Sequence, residues 1–182
     1  MRFKQKHPET CLAKCLMILI EKAKNKKLAD SYELKLLIYS LKHRRENIAK
    51  GHLEKFVKDF NINVNWYVGS KIFFDFTKKT KLAKQISLMN KRVDLELVDK
   101  LIQKPIIVCI DRFYLWKKGS DLYYKYHYPH FVVINKKLGN FYEIIDPDDG
   151  KVKKIEAGVI SKAITSLKNR LWMCPQIIQV SA

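Results

Sequence analysis

Four residues stand in this chain in an order that could make a thiol nucleophile with its base. Gln5 precedes Cys11 by six residues, and Cys11 opens an apolar run. Much later comes His130-Phe131-Val132-Val133-Ile134, with Asp146-Pro147 sixteen residues after the histidine. Cys11 falls in the first turn of an expected helix, where unpaired amides and the helix dipole favour a thiolate. The Gln5 side-chain amide could donate to a developing oxyanion beside the Cys11 N–H. His130, at the start of an apolar strand, could serve as general base and then as general acid. If the strands around His130 and Asp146 form a hairpin, Asp146 could hold the imidazole in one tautomer.

Each residue also has a plainer use. A free cysteine on an amphipathic helix commonly packs in a core, and Asp146-Pro147-Asp148-Asp149-Gly150 makes a turn through its own local hydrogen bonds. Cys15, one turn below Cys11, reads as a buried structural thiol. Cys109 reads as a small hydrophobe inside a strand, and Cys174 carries no signal. His7, His43 and His52 lie in charged surroundings and are expected to be solvated. A zinc site is the sharpest rival, because Cys11 and Cys15 are one helical turn apart and His127 and His130 lie three apart. Regular strand geometry would point those two histidines to opposite faces. The calcium-loop pattern is incomplete at residues 146–150, so no metal and no cofactor are expected.

The elements that must position these residues follow from periodicity. Apolar residues at helical spacing predict helices over 11–25, 31–41 and 48–60, with Thr10 as N-cap of the first and Lys42-His43-Arg44-Arg45 closing the second. Alternation predicts a strand over 61–68. Residues 81–89 are read as helical and 93–103 as a short helix. Lys104-Pro105 ends it ahead of a buried strand, 106–110. Strands over 123–128, 130–135, 141–145 and 151–155 follow, joined by turns at 136–140 and 146–150. A helix over 158–168 and a strand over 176–180 close the chain. Helices first and strands later predict an α+β class with N-terminal helices packed on a C-terminal antiparallel sheet.

The bulk properties narrow the partners. The length, 182 residues, suits one domain spanning 1–182, and a 47% hydrophobic content can build its core. The charged residues are dispersed, so disorder is not expected. No apolar run is long enough to cross a bilayer. The early run from Leu12 to Ile20 is interrupted by Lys14 and followed by Glu21-Lys22 in place of a cleavage site, so it reads as a helix of the mature fold. Four cysteines without an export signal point to a reducing, cytoplasmic setting. The net charge is +18, from 36 basic and 18 acidic residues. The bases are mostly lysine and spread throughout, which disfavours dedicated nucleic-acid binding and leaves an acidic partner open. Oligomeric state is not legible.

Taken together, Gln-x5-Cys opening a helix, a late His-Phe-Val-Val-Ile strand and an Asp-Pro turn closed by glycine resemble the C39-like branch of the papain-like cysteine peptidases. The resemblance covers nearly the whole chain, as a free-standing member. It implies a papain-like fold and a thiol hydrolase acting on a peptide or protein substrate, with known relatives cutting after a Gly-Gly pair. It also implies that Cys11, His130 and Asp146 are the catalytic triad, with Gln5 in the oxyanion hole. A cysteine-dependent acyltransferase or a non-catalytic peptide-binding domain are the alternatives. Tyr114, Trp116, Tyr123, Tyr124 and Tyr126 could then line a peptide groove, although sheet packing is their plainer use. The family commonly has glycine directly after the nucleophile. Leu12 stands there in this chain, so a narrowed approach to Cys11 is expected.

Overall fold

A computed structural model describes residues 3–7, 9–25, 27–42, 47–115 and 126–181. Among these, six helices flank a seven-stranded mixed sheet, an α+β arrangement. Helices α1 (Cys11–Lys24), α2 (Ser31–Lys42) and α3 (Ile48–Phe60) come first. Strand β1 (Asn63–Val68), helix α4 (Lys71–Lys78), strand β2 (Ile86–Asn90) and helix α5 (Leu95–Leu101) follow. Strand β3 (Ile106–Asp111) is followed by a short 3-10 turn (Arg112–Leu115), and β4 (Pro129–Leu138), β5 (Phe141–Asp146) and β6 (Lys151–Glu156) come later in the chain. Helix α6 (Ala157–Asn169) and strand β7 (Gln176–Ser181) end the fold.

The sheet order is β2-β1-β7-β3-β4-β5-β6. It is not the purely antiparallel C-terminal sheet expected: β1 and β2 pair in parallel and β1 joins β7, so strands from the middle of the chain complete it. The expected helix over 81–89 is absent because Ile86–Asn90 pairs with β1, tertiary pairing overriding a weak local preference. Helix α4 was not anticipated from the aromatic run Phe73, Phe74 and Phe76. Ser70 supplies its cap, the side chain accepting from the Phe73 N–H at 3.3 Å. The turn expected at 136–140 is tighter, since β4 runs on to Leu138. The basic cluster at 43–45 and the strand expected over 123–125 lie outside the described residues, and 126–128 precede β4 without joining it.

Two apolar clusters sandwich the sheet. Ile107, Val133, Ile145 and Ile178 face α1 and α3, with Trp66 and Phe56 in the same cluster. Ile106, Val108, Val132, Ile144 and Ile177 face α5 and α6. The strands alternate with period two between these clusters, so β3 is buried at all six positions. Helix α1 is buried over ten consecutive residues, Leu12 to Glu21, which makes it a central helix rather than a surface one.

Candidate active site

Cys11 is the first residue of α1, half-buried, with the rest of the helix anchored in the core. The expected N-cap sits at the right position but does not cap. Thr10 turns its hydroxyl to His7 O and to the Glu33 carboxylate, so it makes no bond to the first-turn amides. Those amides are thus not engaged by the residue that would normally occupy them. Leu12, the next residue, is buried in the core cluster.

His130 and Asp146 come from neighbouring strands. Val133 pairs with Ile145, so one step on Val132 lies opposite Asp146 and His130 is its diagonal neighbour on the same side of the sheet. The His130 Nε2 lies 2.8 Å from Asp146 Oδ1, and both side chains are buried. Burial disfavours the charged imidazole, but the Asp146 hydrogen bond and the contact with Cys11 push His130 up to about 10. With Nε2 committed to Asp146, Nδ1 is left to serve the sulfur. An imidazolium beside a cysteine is the setting in which cysteine nucleophiles work. Burial would raise Asp146, yet His130 and Lys153 hold it well below the usual carboxylate range. Lys153 Nζ sits 2.5 Å from Asp146 Oδ2.

Asp148 adds a second carboxylate, its Oδ2 3.7 Å from His130 Nε2. Burial raises its pKa, and its backbone N–H donates to Asp146 Oδ1 at 3.0 Å. The turn thus presents Asp146 to the imidazole and braces it from behind. His130, Asp146 and Asp148 bring one ligand atom each within 4.8 Å, a set that could hold a cation. Lys153 already supplies the positive charge at Asp146, and the His130–Asp146 bond uses the atoms a metal would need.

Gln5 is tied to this same turn. Its N–H donates to Pro147 O at 2.7 Å, and its side-chain oxygen is buried without a hydrogen-bond partner. Gly150 permits the approach: a Cβ there would meet Lys4 N at 2.6 Å, and its φ is +68°. On the other side of the segment, Glu33 of α2 is fully buried and accepts from Lys6 N at 2.8 Å, His7 N at 3.2 Å and the Thr10 hydroxyl. Residues 4–7 and Thr10 are therefore clamped between α2 and the 146–150 turn. Glu9 completes the approach to the helix at φ +63°, a left-handed backbone uncommon for its type.

The remaining sequence candidates separate from this site. Cys15 donates to Phe131 O at 3.3 Å, and burial drives the thiols of Cys15 and Cys109 well above their ordinary range. Burial takes Cys174 up to about 11. His127 is held by Asp111, Nδ1 to Oδ2 at 2.6 Å, in a cluster with Ser166 and Arg170. The zinc set Cys11, Cys15, His127 and His130 does not converge. His52 is buried, not solvated as expected; burial lowers it to about 4. Of the aromatic residues considered for a groove, Tyr114 packs edge-on against Phe113 and Tyr126 is exposed. Trp116, Tyr123 and Tyr124 lie outside the described residues.

Glu33 and Asp148 were missed as site residues. Asp148 was visible only as part of a turn, and no sequence pattern links Glu33 to a loop more than twenty residues earlier. No protein-family model matches this chain, and no curated protein matches it in sequence.

Proposed function

We propose that this chain is a C39-like thiol hydrolase of papain-like fold that cleaves a peptide or amide bond. The observation that carries the reading is the buried His130–Asp146 pair, 2.8 Å apart, with Cys11 beside the imidazole. A nucleophile at the start of a buried helix, facing a histidine and an aspartate on adjacent antiparallel strands, is also the arrangement a papain-like fold would require.

In this mechanism the Cys11 sulfur attacks the substrate carbonyl carbon. A C–S bond forms while the carbonyl electron pair moves to oxygen, where the Cys11 N–H and the Gln5 side chain stabilise it. The C–N bond then breaks, and the amine leaves with the proton supplied by His130. Water, deprotonated by His130, attacks the thioester; the C–S bond breaks and the acid is released. Asp146 keeps the imidazole oriented through both steps. Four unpaired cysteines suit a reducing, cytoplasmic setting, and the charge of +18 suits an acidic substrate.

A peptide library that includes Gly-Gly sequences, incubated with wild type and Cys11→Ala, tests this function. Cleavage by wild type alone is the expected result. Accumulation of acyl-enzyme that only an added amine releases would assign an acyltransferase. Equal peptide retention by both proteins without cleavage would assign a binding domain.

A further inference from the structure

Four large apolar side chains stand in solvent on two segments that are joined at one end of the sheet. Gly69 N donates to Pro175 O at 2.9 Å, and Val68 pairs with Gln176. The start of α4 and the segment after α6 are thereby locked together. Ile72, two residues past Ser70, is 85% exposed, and Phe76, one turn further along the same face of α4, is 53% exposed. Trp172, two residues before Cys174, is 92% exposed, and Met173 is 42% exposed.

Trp172 is held out at a conformational cost. Its φ is +54°, just beyond the end of α6, a position where glycine or asparagine is the unstrained choice. The neighbouring backbone is fixed by Met173 N donating to Leu167 O at 2.9 Å. An indole placed there neither packs nor relaxes the chain, whereas scattered single apolar residues are ordinary on a surface.

The surroundings indicate what covers these side chains. Residues 69–81 and 168–175 carry six cations and one acid, Asp75. Lys71, Lys78, Lys79 and Lys168, on the same two segments, are exposed. Side chains this exposed suit insertion between lipid headgroups, with tryptophan at the interfacial depth and lysines meeting anionic phosphates. We propose that this surface docks the protein onto an anionic bilayer without spanning it. Val68, next to Gly69, pairs with Gln176, Ile110 pairs with His130, and β1 and β3 both run antiparallel to β7, which puts the docking surface and the candidate site at the same end of the sheet. The proposal stands apart from the catalytic reading and is tested without it.

The test is co-sedimentation with vesicles of phosphatidylcholine containing phosphatidylglycerol, against phosphatidylcholine alone, at low and high salt. Wild type should pellet with the anionic vesicles and be released by salt. Trp172→Asn suits the left-handed backbone and should keep or raise the melting temperature, while lowering vesicle partitioning about tenfold. Ile72→Ser should lower it similarly. Absence of binding to anionic vesicles, or equal binding by wild type and both variants, would overturn the proposal; the second result would mean adsorption through lysines alone. A dimer on size-exclusion that Trp172→Asn abolishes would also overturn it, assigning the surface to a second copy.

Discussion

Replacing Glu33 tests whether the segment carrying Gln5 is positioned by α2. The carboxylate is fully buried in the first turn of α2, where the helix dipole favours a negative charge, and one oxygen receives three donors. Bonds to a charged acceptor contribute about 1.5–3 kcal/mol each, against about 0.5–1.5 for neutral ones. Lys6 is exposed and His7 half-exposed, so water can replace Glu33 at those amides, whereas Thr10 is fully buried. Glu33→Gln keeps the shape and an acceptor oxygen, and should cost about 1–2 kcal/mol. Glu33→Ala leaves the Thr10 hydroxyl without this acceptor and opens a cavity, for about 3–4 kcal/mol. For a chain of this size each kcal/mol lowers the melting temperature by about 2–4 °C, so the Gln variant stays folded. The assay pairs thermal unfolding with iodoacetamide labelling of Cys11 followed by mass spectrometry. Both readouts should fall in Glu33→Gln. Lower stability with unchanged Cys11 labelling would refute the positioning role, and no change in either would refute the clamp itself.

Other expectations follow from the same geometry. Because the folded pKa of His130 is raised to about 10, its stabilising contribution is complete below pH ~6.5 and lost as pH rises through 10. Asp146 is depressed, so its contribution is complete above pH ~4 and lost in more acid solution. The alkaline limb of Cys11-dependent turnover should therefore lie near 10, and Asp146→Asn should move it down by about 1–3 units in a pH–rate profile; an unmoved limb would separate Asp146 from the titration. Gly150→Ala should push the Lys4–Gln5 backbone off the turn, lowering both melting temperature and Cys11 labelling, since its Cβ would meet backbone at 2.6 Å and its φ is positive. Leu12→Gly, which introduces the residue common after the nucleophile in C39-like peptidases, should cost about 3–5 kcal/mol by urea denaturation without faster labelling, because Leu12 is part of the core.

Much of the local structure was legible because it rests on short-range patterns. The apolar spacing of Cys11, Leu12, Cys15, Leu16 and Leu19 marks α1, and the apolar strands flanking the Gly139-Asn140 turn mark the hairpin that brings His130 beside Asp146. What escaped depends on distant partners. Ile86–Asn90 becomes a strand only because β1 lies alongside it. His52 looked solvated among charges, yet α3 turns it inward toward Ser40 of α2. Thr10 has the right type for a cap, but a carboxylate from α2 takes its hydroxyl. Glu33 resembles any first-turn acid until the fold closes Lys6, His7 and Thr10 over it.

Site-resolved labelling of the four cysteines by iodoacetamide, in wild type and His130→Ala, tests the central claim most directly. Cys15 and Cys109 are buried with thiols driven high, and Cys174 is raised to about 11. Cys11 should therefore react far faster than the other three at neutral pH, and His130→Ala should abolish that difference. Slow and equal labelling of all four in wild type, or fast Cys11 labelling that survives the loss of His130, would contradict a Cys11–His130 nucleophile.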